Sequence, residues 1–263
     1  MQEISYKNNT ILFNRIIVYG CSLTAGMELA DTKIVPEYSQ IQIDEYKRIN
    51  GLKKWIELIQ TKMSLQEIAK IENDLTWAKI LADHYDVNYV NRATYGGNSA
   101  SMIYYLQKDL SNNFITDNDL ILVGHSEISR YFWINRLGKP IVGCVNGTDE
   151  HWPSKLFHQE FSNNLDYRHH MYNWYSDIQH LNLLSLALNG RLLQQYCYNT
   201  YHQEMEINNY KEFKIENLYS IIDEDYSFNS IVDWSNQKDT HTFTHPKIKF
   251  HEIFANHLIR KLQ

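Results

Sequence analysis

Cysteine, proline and glycine are all scarce in this chain, at 3, 4 and 10 of 263 residues. Cys21, Cys144 and Cys197 are odd in number, far apart and form no CxxC pair. That argues against a disulfide scaffold and favours a reducing compartment or plain burial. With four prolines and no low-complexity or Gly/Ser tract, nothing marks a linker. The expectation is one domain, residues 1–263, carrying an insertion. Long apolar runs are missing too, and Met1 to Thr10 is mostly polar, so neither a signal peptide nor a transmembrane helix is expected. A cytoplasmic or virion-associated location follows as the expectation. Basic charge is in deficit: the formal net charge is −6 and the pI is near 6.0. Broad attraction to nucleic acid or anionic membrane is therefore not expected, although a local basic groove stays open.

Aromatic residues, by contrast, are plentiful, with 19 tyrosines, 10 phenylalanines and 6 tryptophans. They suit a carbohydrate groove, a core or a protein interface, and composition does not choose among these. Ile11 to Tyr19 reads as a first strand. From Asp44 to about Ile59, Tyr46, Ile49, Leu52, Trp55, Ile56 and Ile59 recur at helical spacing. A further helix is expected to start at Ser64, with Glu67 completing a capping box, and to run through Leu81. Val87 to Val90 reads as a second strand, followed by a helix capped by Ser99, and Leu120 to Val123 as a buried third strand. Asp177 to Tyr198 reads as one long helix, Phe213 to Ile222 contains a late strand, and a final helix spans about Lys247 to Leu262. Alternating strands and helices predict a three-layer α/β/α sandwich with a mostly parallel sheet. A helical insertion is expected around 40–62, and a long irregular excursion around 138–171.

The junction that carries chemistry is Gly20-Cys21-Ser22-Leu23-Thr24-Ala25-Gly26, directly after the apolar run Ile16 to Tyr19. A serine held where a strand turns into a helix stands beside free backbone N–H groups, as an acyl-transfer nucleophile requires. The plainer alternative is an ordinary βα turn with Ser22 or Thr24 as cap. Cys21 is the other nucleophile to weigh, and strand alternation lets only one of Cys21 and Ser22 face a site.

Four blocks in order resemble the SGNH, or GDSL-like, hydrolase family. Gly20-Cys21-Ser22-Leu23 is similar to the first block, with Cys21 where aspartate is usual. Asn91-Arg92-Ala93 followed by Gly96-Gly97-Asn98-Ser99 is similar to the second. Val123-Gly124-His125-Ser126-Glu127 is similar to the third, with Ser126 at the usual asparagine. Thr242-Phe243-Thr244-His245-Pro246 is similar to the fourth, with Thr242 where the acid is expected. The resemblance implies an ester hydrolase with Ser22 as nucleophile and His245 as general base. It also implies an oxyanion hole of Ser22 and Gly97 N–H groups, with the Ser126 hydroxyl replacing the missing amide. Asp239 is the first candidate to orient His245, ahead of Asp233, and a backbone carbonyl is a third choice.

The substrate class this implies is an ester-bearing small molecule or glycan, O-acetylated carbohydrate foremost, with a lipid ester as the other option. Departures at Ser126 and Thr242 also fit a hydrolase-like scaffold kept as an inactive glycan-binding or virion protein, or one that forms homo-oligomers. The Asn-, Ile-, Lys- and Tyr-rich composition resembles AT-rich viral or bacterial coding, and the divergent third block resembles that of some SGNH-like phage proteins.

Two competing sites stand beside this one. Gly124-His125-Ser126-Glu127-Ile128 begins like a G-x-S-x-G elbow but ends in isoleucine, which would crowd the turn. Asp239, His241, His245 and His251, with His169 and His170, have metal-ligand chemistry but match no zinc signature, so no metal is expected. Gly20 to Gly26 lacks the Lys-Ser/Thr of a P-loop and Gly96-Gly97 lacks a dinucleotide fingerprint, so no cofactor is expected either. Arg130 and Arg136 suit an anion or a solvated surface equally.

Overall fold

A computed structural model describes residues 1–6, 9–94, 97–125, 130–134, 136–137, 140–144, 167–196 and 248–263. The chain opens with a hairpin, β1 (Gln2–Tyr6) against β2 (Asn9–Phe13), antiparallel with Ile4 opposite Ile11. Asn14 breaks the run, and β3 (Arg15–Tyr19) begins a separate sheet. The expected strand from Ile11 to Tyr19 is thus two strands, because the hairpin uses the inward-facing Ile11 and Phe13 while Arg15 starts a new ladder.

Six helices follow: α1 (Ser22–Ala25), α2 (Asp31–Ile34), α3 (Gln40–Asn50), α4 (Leu52–Gln60), α5 (Leu65–Asp74) and α6 (Trp77–His84). Three of their starts are capped by side chains, which explains why the continuous helices expected here are divided. Ser39 and Ser64 each form a capping box, the second with Glu67 as expected, and the Thr76 hydroxyl accepts the Lys79 N–H at the head of α6. Gly51, at φ 84°, separates α3 from α4.

The main sheet contains β3, β4 (Asn88–Asn91), β5 (Asp119–His125) and β8 (Leu192–Tyr196), all parallel, in the order β4-β3-β5-β8. Every residue of β5 is buried, as a central strand covered on both faces must be. Between the strands run α7 (Ser99–Ser111) and α8 (Tyr167–Ala187), and α9 (Ile248–Lys261) closes the chain. α6 packs on α9 through Trp77 and Phe254, whose rings meet edge to face at 5.5 Å, while α7 packs on α8. The result is a three-layer α/β/α sandwich with a parallel central sheet. A second hairpin, β6 (Arg130–Ile134) with β7 (Pro140–Cys144), lies beside α7.

The long helix expected from Asp177 to Tyr198 is corrected. α8 ends at Ala187, Asn189 and Gly190 take positive φ of 55° and 75°, and Leu192 to Tyr196 pair with β5 as a strand. Leu192 therefore reaches the core through the sheet and not through a helix face. β7 and the start of α8 fall inside the expected excursion 138–171, whose remaining residues, like Phe213 to Ile222, lie outside the described ones.

Two apolar clusters are buried. The larger surrounds the main sheet, and the smaller joins Ala30, Ile34, Ile43, Trp55, Ile59 and Ile68 across α2 to α5. Within the smaller one, the buried Lys47 ammonium lies 2.7 Å from Glu28 and 2.5 Å from Asp31. The Trp55 indole N–H donates to Asp31, and the Glu28 backbone N–H donates to Glu72. This polar knot fastens the helical insertion to the segment after α1. It also holds Glu28 at φ 74°, a left-handed conformation that a glutamate adopts only under restraint.

Candidate active site

β3 feeds a chain that leaves toward β4, whereas β5 feeds one that leaves toward β8. The carboxyl ends of β3 and β5 thus flank a topological switch point, where open α/β sheets leave a crevice for ligands. Ser22, the first residue of α1, follows β3, and Ser126 follows β5 in sequence. The Ser22 backbone stands at this rim. Ser126, Asp239 and His245 lie outside the described residues, as do Glu127, Ile128, His241 and Thr242.

The first two blocks meet directly. Thr94 N–H donates to the Gly20 carbonyl at 2.9 Å, and Gly97 N–H donates to the Thr94 carbonyl at 3.0 Å. A Cβ at Gly97 would sit 2.9 Å from the Gly20 carbonyl oxygen and 2.8 Å from the Thr94 hydroxyl. A Cβ at Gly20 would fall 2.3 Å from Thr24 Oγ1. Both glycines are therefore required by close approach. The Gly97 N–H is already satisfied within its turn, so an oxyanion would have to share or displace that bond.

Around this contact the polar groups are braced. Arg92 of the second block pairs with Asp109 of α7 at 3.0 Å and stacks its guanidinium 4.4 Å above the Phe114 ring. Asp109 also accepts from the Tyr19 hydroxyl at 2.7 Å. Burial raises the Tyr19 phenol well above its ordinary value, and the hydrogen bond to Asp109 adds to that. Cys21 is buried in the core. Ser99 is not the cap of α7: Asn98 is, its side chain accepting the Ser101 N–H.

Freed from capping, Ser99 lies 3.0 Å from His125 Nδ1, and His125 Nε2 lies 2.6 Å from Gln194 Oε1. The Gln194 amide in turn donates to Asn182 Oδ1 at 2.7 Å. This Ser–His–Gln–Asn chain joins α7, β5, β8 and α8, and all four residues are buried. Burial pushes the His125 imidazole down to about 4, so it is neutral at ordinary pH. The glutamine oxygen fixes the proton on Nε2, leaving Nδ1 to accept from the Ser99 hydroxyl. Sequence reasoning missed this network. The signal available was a histidine ending an unbroken apolar strand, which needs partners for both ring nitrogens.

A cavity of about 570 Å³ opens between α5 and the segment after β4. Ala25, Ala69 and Ala93 line it together with the amides of Gln66, Asn73 and Asn91. Among the described residues no aromatic side chain lines it. Trp55, Trp77 and Trp174 are buried in the fold. The Asn73 side-chain oxygen is shielded from solvent and has no donor among the described residues.

For metal chemistry, His251 is committed elsewhere, since its Nδ1 accepts the Trp77 N–H at 3.1 Å at the head of α6. His169 and His170 are adjacent in α8, and adjacent helical positions do not face each other. Among the described residues no three His, Cys, Asp or Glu side chains are grouped to hold a metal ion, and no helix is long and apolar enough to cross a membrane.

No family model matches the chain, and no curated protein sequence does. Some solved structures resemble it distantly. The esterase EstA from a Pseudoalteromonas species is 12% identical, over 94% of this chain and 96% of that one, with a TM-score of 0.47. The acetylxylan esterase Axe2 from Geobacillus stearothermophilus is also 12% identical, over 96% and 95%, at 0.46. A G-D-S-L family lipolytic protein from Desulfitobacterium hafniense is 8% identical, over 95% and 99%, at 0.46. These are distant likenesses of chain path, and no residue's role is carried across from them.

Proposed function

We propose that the protein is a serine-dependent esterase acting on an O-acetylated carbohydrate. Ser22 Oγ attacks the ester carbonyl while His245, oriented by Asp239, takes its proton. The carbonyl electron pair moves onto oxygen, where the N–H groups of Ser22 and Gly97 and the Ser126 hydroxyl receive it. Collapse breaks the bond to the sugar oxygen, which leaves with the proton returned by His245. Water, deprotonated by the same base, then releases acetate from Ser22.

The observation that carries the reading is the contact of the Gly20 and Gly97 segments at the rim of the sheet. It brings the nucleophile's turn and the donor's turn together across otherwise distant sequence. Amides that both donate and accept line that cavity, and they suit sugar hydroxyls. One observation favours a second reading, an inactive carbohydrate-binding scaffold: the Gly97 N–H is held by the Thr94 carbonyl.

A serine-directed fluorophosphonate decides between them. Labelling mapped to Ser22, lost in His245→Ala, is the expected result, with turnover of p-nitrophenyl acetate abolished in Ser22→Ala. Undiminished turnover in Ser22→Ala would remove the assignment. Absence of labelling together with stoichiometric glycan binding would establish the scaffold reading.

A further inference from the structure

One stripe of α5 stands apart from the core. Gln66, Ala69, Lys70 and Asn73 recur at i, i+3, i+4 and i+7, and all four line the cavity of about 570 Å³ beside the β3-to-α1 junction. The same helix packs through a different face, where Ile68 and Glu72 are buried. Ala25 and Thr94 line the cavity as well. Ala25 is the last residue of α1, about 4.5 Å of helix rise beyond the Ser22 backbone. Thr94 donates its N–H to the Gly20 carbonyl, and its own carbonyl accepts the Gly97 N–H. The cavity therefore borders the backbone of both turns that are proposed to receive the ester. Charge singles out Lys70 among its walls. The Glu67 carboxylate is held by the Ser64 N–H and hydroxyl at 3.0 and 2.6 Å, and the Glu72 carboxylate accepts the Glu28 N–H. Among the described residues Lys70 has no ion-pair partner, Asp74 four positions on included. In a chain of net charge −6, an unpaired ammonium in a cavity wall is a local attractor for an anion.

We propose that this cavity is a subsite for a carboxylate-bearing sugar, with Lys70 selecting its negative charge, so that the substrate is an O-acetylated uronic acid unit and not a neutral sugar. Ala69 leaves room for the ring, the Gln66 and Asn73 amides suit its hydroxyls, and the Lys70 ammonium meets its carboxylate. One ammonium balances one negative charge, which a carboxylate carries; a phosphate monoester carries nearly two. The choice of an acetylated substrate rests on the esterase function proposed for Ser22, whereas binding of the acidic sugar does not.

The test compares an O-acetylated methyl glucuronoside with its uncharged carboxamide, read as acetate released. Wild-type kcat/KM is expected to be at least about 5-fold higher on the acid, Lys70→Gln to bring the ratio near one, and Lys70→Glu to invert it. A ratio near one in wild type overturns the inference, as does a preference for the acid that survives Lys70→Gln. Failure of the esterase reading looks different, because wild-type protein then releases acetate from neither compound. Binding decides in that case, followed as NMR shifts of the Ala69, Lys70 and Ala93 amides during titration with unacetylated methyl glucuronoside. Saturable shifts whose affinity falls about 5-fold in Lys70→Gln, and about 5-fold for the carboxamide, support the subsite. No saturable shift, or an affinity indifferent to both changes, overturns it.

Discussion

Asp177 carries the most quantitative consequence of the burial pattern. It sits in α8 between the buried Trp174 and Ile178, and desolvation pushes its carboxyl up to about 7. The unfolded chain holds an aspartate near 4. Between those values the folded state binds a proton that the unfolded state has released, so stability falls as pH rises from about 4 through 7. Each decade is worth about 1.4 kcal/mol, and three decades give roughly 4 kcal/mol of destabilisation at pH 8 that is absent at pH 4. Asp177→Asn removes the titration and keeps the shape. Its own amide costs about 1–3 kcal/mol if left unpaired, at every pH. Urea denaturation of both proteins at pH 4 and pH 8 isolates the titration, because that cost cancels between the two conditions. The contribution of His125, which runs the opposite way because its folded value is depressed, is common to both proteins and cancels as well. The variant is expected to gain roughly 4 kcal/mol relative to wild type on going from pH 4 to pH 8. A pH-independent difference would show that Asp177 is ionised normally, and the reasoning from burial would be wrong.

Lys47→Met is expected to cost about 3–5 kcal/mol in urea unfolding, since it strands the buried Glu28 and Asp31 carboxylates; adding Asp31→Asn should recover part of that loss, and additivity of the two would refute the coupling. Gly20→Ala is expected to lower stability by about 1–3 kcal/mol and to abolish ester turnover, because the new methyl would lie 2.4 Å from Thr24 Cβ, an atom no rotamer change can move. Wild-type activity in that variant would mean that the β3-to-α1 junction is not where the chemistry occurs.

The layered fold was legible because its signals are local. The Ser64 and Glu67 pair announces the start of α5 within four residues, and the apolar run before Gly124 announces a central strand. Where two local signals competed, the weaker one decided. Leu181, Leu184, Leu188 and Leu192 continue a helical period, yet Asn189 and Gly190 supply the positive φ that ends the helix, so Leu192 enters a strand. The N-terminal hairpin escaped for a different reason. Its register pairs Ile4 with Ile11, and a polar segment with two inward isoleucines declares itself only against a core that it covers.

The candidate site divides along the same line. Gly20 and Gly97 can be singled out from sequence because a glycine imposed by close approach leaves a fixed mark, and the geometry supplies the neighbour each must avoid. Ser99 and His125 leave no such mark, because a neutral hydrogen-bonded pair separated by 26 positions has no spacing rule. Their placement nevertheless follows from one physical demand. A histidine closing the most buried strand must either ionise at great cost or find two neutral partners. The partners within reach are the first residue of α7 on one side and a glutamine of β8 on the other. Once both are engaged, the end of β5 is tied by side-chain hydrogen bonds to the head of α7 and to β8. The rim on which the Ser22 backbone stands is then braced at the end of β5 by two side-chain hydrogen bonds, and beside β3 by the bond from the Thr94 N–H to the Gly20 carbonyl.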